Sequence, residues 1–274
     1  MSKSSQKTLK KNESDRSADP SLLAELIQTS FLFRGIALET LVALWEETPP
    51  LGEKLYSNRP IFTAFRPGAP LDFLYVILSG GPVIIRSSPL DRIIALTYPG
   101  GCFGMRSLPL SYGLVFKAFP SQVEAYKTTD VVKIPLAIVL GLYETDPDFR
   151  DRYHLLFELR EKFQYHLLNC STYPPQAVAT LLRALIYQER GLGQQPNDRG
   201  SYCFDLPIEV IARVSQLNHR TVEQVLKGMQ QVGLLETIAD PSAPGDWVKV
   251  VDPEGMKVVY SATRDKVPWW PLRS

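Results

Sequence analysis

The chain has 274 residues, 45% of them apolar and 22% charged, with 30 Lys and Arg against 29 Asp and Glu. That length supports two cores, and a balance so near neutrality means that any surface for an anionic partner must be local. Cys102, Cys170 and Cys203 are odd in number and far apart, which excludes a disulfide framework, a CxxC zinc site and a four-thiolate iron–sulfur cluster. The expectation is a reduced, cytoplasmic chain with no metal. There is no apolar run of about 18 residues that could cross a membrane.

Residues 1–20 are rich in Lys, Ser and Asp and predict a disordered arm. From Ser21 the spacing turns helical: Leu22, Leu23, Leu26 and Ile27, then Leu38, Leu41, Leu44 and Trp45, stopping before Pro49-Pro50. Between Pro60 and Pro135 come six short β-rich runs, IFTAF, FLYVIL, PVIIR, RIIALTY, QVEAY and DVVKIP, separated by Gly and Pro. Many closely spaced strands predict a small barrel or jelly roll over 21–145. Within it, YPGGCFGMRSLPLSYG (Tyr98 to Gly113) is either a cradle for a phosphate or only a sharp turn.

A long helix is predicted from Asp146 to about residue 172. Phe149, Leu156, Phe163 and Cys170 fall at heptad spacing, with Tyr153, Leu159 and Leu167 beside them. This stripe suits a seam between two chains, the alternative being a helix packed on its own barrel. Tyr173-Pro174-Pro175 opens a second domain, 173–252: a helix, a polar loop, a strand, and then LPIEVIARVSQLNHRTVEQVLKGMQQVGLLE. In that run Ile208, Ile211 and Val214 make one apolar face and Val222, Val225, Leu226 and Met229 another. Asn218 stands where a helix N-cap is needed and small Ala212 where two helices would cross. Two short helices joined by a tight turn, followed by a β-hairpin, predict a winged helix-turn-helix. The tail, 253–274, ends in Val267-Pro-Trp-Trp-Pro271, and Trp269-Trp270 could anchor a protein partner.

This order of elements resembles the cyclic-AMP receptor protein and fumarate–nitrate reduction regulator (Crp/Fnr) superfamily from about Leu22 to Asp252. The similarity rests on FLFRG from Phe31, IFTAFRPGAPLDFLYVILSGGPV from Ile61, and IARVSQLNHRTVEQVLK from Ile211 with Gly233-Leu-Leu after it. It implies an α+β fold with a cyclic-nucleotide-binding-like barrel (double-stranded β-helix or jelly roll), a long dimerisation helix and a C-terminal winged helix-turn-helix. It further implies a homodimer that binds double-stranded DNA and contacts RNA polymerase or another regulatory protein. The implied dimer contacts are Phe149, Leu156, Leu159, Phe163, Leu167 and Cys170.

The effector pocket implied by the resemblance includes Phe103, Gly104 and Met105. In relatives a glutamate that bonds the nucleotide ribose follows the Phe-Gly, and here Met105 stands in its place; the Arg-Ser pair that would hold the phosphate falls near Phe119-Pro120. A thioether and a phenyl ring cannot replace those charges. Arg106 and Lys117 are the nearest cations that could rescue an anion site, so a turn is expected rather than a working nucleotide cradle, with no cofactor and an unknown effector.

On the second helix of the motif, His219, Arg220, Glu223, Gln224 and Lys227 face outward, Thr221 suits a phosphate, and Asn218 caps. Arg220 could read guanine and Gln224 adenine. Against this, Phe204 to Asp252 holds Arg213, Arg220, Lys227 and Lys249 against seven carboxylates, a net of −3, where DNA-binding modules are usually basic. The arm (Lys3, Lys7, Lys10, Lys11), Arg183 and the tail (Arg264, Lys266, Arg273) are further sources of positive charge. The alternative is a dimeric protein of the same fold that acts through protein contacts. An enzyme is not expected, since Pro60 to Pro135 contains no histidine for a metal site.

Overall fold

The protein is described here by a computed structural model over residues 20–45, 51–57, 59–63, 73–87, 91–105, 121–168, 172–197, 200–237, 246–261 and 267–271. The N-terminal arm therefore lies outside the described residues. So do Arg106, Lys117, Phe119-Pro120 and Cys170.

Helices α1 (Pro20–Thr29) and α2 (Leu38–Trp45) form where the 3.6-residue spacing predicts them. Leu23, Leu26, Leu41 and Trp45 are fully buried. Phe33, from the turn between the helices, lies 6.2 Å from the Trp45 ring and 5.5 Å from Phe149.

Eight strands follow among the described residues: β1 (Leu51–Leu55), β2 (Pro60–Thr63), β3 (Phe73–Ser79), β4 (Val83–Ser87), β5 (Arg92–Thr97), β6 (Cys102–Phe103), β7 (Ser121–Ala125) and β8 (Thr129–Pro135). They pair into two antiparallel four-stranded sheets, β1-β8-β3-β6 and β2-β7-β4-β5, so that strands distant in sequence become neighbours. All six expected runs are strands. The structure adds β1 and β6. LGEKL in β1 leaves four of its five residues exposed, and it is held by register with β8 and by a Lys54–Asp130 ion pair at 3.2 Å.

Helix α3 (Leu136–Thr145), not expected from the spacing, turns at Asp146 into α4 (Pro147–Leu168). The Asp146 Oδ1 accepts from Phe149 N–H at 2.9 Å and so caps the long helix. Phe149, Tyr153, Leu156, Leu159, Phe163 and Leu167 are all buried within the single chain. The first four belong to the core shared with α1, α2 and α3. Phe163 and Leu167 belong to a second core, which runs from the barrel into the C-terminal domain. The stripe expected to pair two chains is thus covered by the chain itself.

Helix α5 (Pro174–Gly191) begins on two prolines, which suit a first helical turn, and buries ten residues. It approaches α4 so closely that a β-carbon on Gly191 would lie 2.6 Å from Leu159 Cδ2. Then come β9 (Tyr202–Asp205), α6 (Ile208–Ser215), α7 (His219–Gln231), β10 (Leu235–Thr237), β11 (Trp247–Val250) and α8 (Pro253–Ser261). Strands β10, β11 and β9 make a three-stranded antiparallel sheet. Helix α8, also unexpected, buries Met256 and Val259. Behind it Val267 is buried and Trp269 and Trp270 pack against the same core. The tryptophan pair, which could anchor a protein partner, is half-buried against the chain's own core.

Candidate nucleic-acid interface

Helices α6 and α7 are built by their sequence pattern. Val210, Ile211, Ala212, Val214 and Ser215 are buried on α6, and Val222, Val225, Gly228 and Met229 on α7. Ala212 and Gly228 are small, which lets the helices pack closely. The turn requires a left-handed residue, and Gln216 supplies it at φ 56° and ψ 34°. A non-glycine side chain there costs about 1–2 kcal/mol. It is offset by backbone bonds, including Leu217 N–H to the Ala212 carbonyl at 3.1 Å. With its amide oxygen turned toward the barrel, Gln216 also accepts from Arg92 Nε at 2.8 Å.

Asn218 caps α7 as expected: its Oδ1 accepts from Thr221 N–H at 2.8 Å. His219, Arg220, Glu223, Gln224 and Lys227 are exposed on one side of the helix, and Thr221 is half-buried at its start. The five exposed side chains make no hydrogen bond or ion pair among the described residues. Donors and acceptors presented at spacings of three and four residues along one capped helix match what base edges in a major groove require.

The charges around this face are divided in two. Arg213, on the other helix of the pair, points into the barrel and donates to Glu124 at 2.7 Å. Glu124 also receives Arg86 at 3.1 Å, and Arg86 is bonded in turn to Gln122 at 2.8 Å and to Asp91. Lys127 of the barrel holds Asp205 at 2.5 and 2.7 Å, while the Tyr98 hydroxyl donates to the Asp205 carbonyl at 3.2 Å. Burial, and then the Asp205 and Glu189 charges, push the Tyr98 phenol far above its ordinary value, so it stays a donor. Lys249 pairs with Glu236 across the wing, and Asp252 caps α8 through Gly255 N–H at 2.8 Å. Asp205, Glu236 and Asp252, three of the seven carboxylates behind the −3 balance, are therefore engaged away from α7. Arg220 and Lys227 are left as the cations of the recognition face. Arg183 is engaged elsewhere, its guanidinium 4.5 Å from the Tyr260 ring centroid.

In the barrel, the described part of the Tyr98 to Gly113 segment behaves as a turn. Gly100 and Gly104 have φ near +87° and +83°, and a β-carbon would meet the Thr29 carbonyl at 2.7 Å and the Phe73 carbonyl at 2.9 Å. Phe103 is buried and stacks on Tyr75 at 4.8 Å. Met105 is buried against the helices of the N-terminal core. The structure brings Phe103, Gly104 and Met105 together as packing residues.

No family model and no curated protein sequence matches the chain. Solved structures do. FixK2 from Bradyrhizobium japonicum superposes with a TM-score of 0.56 at 15% identity, covering 78% of this chain and 98% of that one. A CooA variant from Carboxydothermus hydrogenoformans gives 0.54 at 14% identity over 81% and 95%. A cyclic nucleotide-binding domain containing protein from Listeria monocytogenes EGD-e gives 0.54 at 14% identity over 80% and 98%. With its barrel, long helix and winged helix-turn-helix in this order, the chain has the fold of the Crp/Fnr regulators.

Proposed function

We propose that the protein is a sequence-specific, double-stranded-DNA-binding transcription regulator that acts in the cytoplasm as a homodimer. The observation that carries this reading is the exposed polar face of α7, capped by Asn218 and set in a helix-turn-helix whose apolar face is buried or half-buried in the core. Arg220 and Gln224 read bases, His219 and Lys227 contact bases or phosphates, the Thr221 hydroxyl sits at a phosphate, and Glu223 selects against the wrong base. Phosphate neutralisation by one module is thin, so two copies binding two half-sites are needed for useful affinity. Since the stripe of α4 is covered by its own chain, pairing uses the helix's remaining flank, where Tyr165 and Leu168 are 65% and 39% exposed.

The barrel is proposed to be a sensor that does not hold cyclic AMP in the usual way, because Met105 offers a thioether where a ribose would need a carboxylate. One observation favours a second reading, regulation through contacts with RNA polymerase or another protein. Two of the four cations in the module, Arg213 and Lys249, are committed to carboxylates.

The test is selection from a random-sequence duplex pool at low salt. The expected result is enrichment of a two-fold symmetric site with half-sites about 34–36 Å apart. Enrichment of no sequence, with retained folding, would favour the protein-contact reading.

A further inference from the structure

A cavity of about 40 Å³ lies where β5, the strand-turn around Cys102, α4 and α5 meet. Its wall includes Ala95, Thr97, Met105, Phe163 and Gln188, and one charged group, Arg160 of α4. Among the described residues the Arg160 guanidinium makes a single long hydrogen bond, from Nη1 to the Met105 carbonyl at 3.4 Å. A guanidinium has five N–H donors, so most of its capacity is unused. It forms no ion pair among the described residues, and its electrostatic neighbours are the Cys102 thiol and the Tyr153 phenol. Neither is a counter-ion: burial pushes the Cys102 thiol up to about 12. The segment 106–120 that follows Met105 contains no Asp or Glu. Withdrawal from water lowers the Arg160 pKa below its ordinary value, as expected for a cation held without its anion.

We propose that this cavity is a binding site for a small planar monoanion, carboxylate, bicarbonate or nitrate, held by the guanidinium of Arg160. A planar anion with two oxygens side by side matches the guanidinium fork and gives two parallel charge-assisted hydrogen bonds. The volume sets the size: one water needs roughly 10–15 Å³ on this measure, so the cavity accepts an anion of three or four heavy atoms and excludes a nucleotide. Gln188, on α5, reaches the same space and donates its side-chain amide to the Leu96 carbonyl at 3.4 Å. The ligand would therefore touch the barrel, the long helix and the first helix of the C-terminal domain. The proposal does not depend on DNA binding, because the test contains no DNA.

The experiment is thermal melting of the full chain against increasing sodium formate, sodium nitrate and sodium bicarbonate in separate series. Ionic strength is held constant with sodium gluconate, whose anion is too large to enter. The expected result is a saturable rise in melting temperature with at least one of the three, read as binding by mass action. Arg160→Met should abolish it, Arg160→Lys should weaken it by about tenfold through loss of the fork, and Ala95→Val, which fills the cavity and keeps the charge, should abolish it as well. No saturable rise with any of the three anions, or the same rise in Arg160→Met and Ala95→Val as in the parent chain, would overturn the proposal.

Discussion

On α4 the conspicuous feature of the sequence is an apolar stripe, and on α7 it is a polar one. The fold treats them oppositely. Phe149, Tyr153, Leu156, Leu159, Phe163 and Leu167 are consumed inside the chain, the first four in the core of the N-terminal helices and the last two in the core that runs into the winged domain. Helix α7 buries its own apolar residues too, but leaves Arg220, Glu223, Gln224 and Lys227 with no partner among the described residues. Apolar periodicity says that a helix face is covered and does not say by what. A polar face left unpartnered on a well-capped helix carries more information about function.

The comparison is broken most severely by Phe163→Glu. At 2% exposure the packing of the phenyl ring is lost, which alone weakens folding by about 3–5 kcal/mol in urea unfolding, even though Arg160 lines the same cavity and can meet the new carboxylate. A dimer seam would instead give a folded monomer. Tyr165→Glu on the exposed flank changes unfolding by no more than about 0.5 kcal/mol and weakens self-association in sedimentation.

The junction between the two regions is the Arg86–Glu124–Arg213 network. Glu124 and Arg86 side chains are each 16% exposed and Arg213 is 33% exposed. Glu124→Gln leaves two arginines facing each other, and is expected to cost about 1–3 kcal/mol, less than a fully buried pair would. The same change should raise the rate of proteolysis between the barrel and the winged domain. Asn218→Ala removes the α7 cap at about 1 kcal/mol, and circular dichroism with urea titration checks it.

The smallest effect concerns His166, near the end of α4, whose Nδ1 lies 3.4 Å from the Tyr260 hydroxyl. Desolvation, and then the Arg183 charge, hold its pKa below the ordinary 6.5. The unfolded chain therefore binds the proton first. Stability contributed by neutral His166 is complete above about pH 6.5 and falls as the pH drops toward the depressed value. In His166→Asn that part of the acid slope should disappear from pH-dependent melting.

Much of this was legible in the sequence because the strands and helices carry strong periodicity and clear punctuation. Asn218, Ala212 and Gly233 mark the helix-turn-helix before any coordinates are seen, and the α7 face follows from counting by three and four. Other elements left little trace. Strand β1 has an exposed, lysine- and glutamate-containing sequence and exists through pairing with β8. Strand β6 is two residues long. Helix α3 follows β8 without a break in its apolar composition, which hides the change of period. Arg160 is legible in the sequence only as a charge on the apolar side of a helix, and the packing of three elements around it shows a cation without a carboxylate among the described residues. The Trp269-Trp270 pair is ambiguous in the sequence for a similar reason, since an aromatic pair reads the same whether it meets a partner or its own core.

The measurement that tests the central claim most directly is the affinity of Arg220→Ala for the selected duplex and for versions changed one base pair at a time. The account predicts a loss of about 1–3 kcal/mol, with discrimination relaxed at one position in each half-site and preserved elsewhere. Unchanged affinity and unchanged selectivity would mean that the exposed face of α7 does not read DNA.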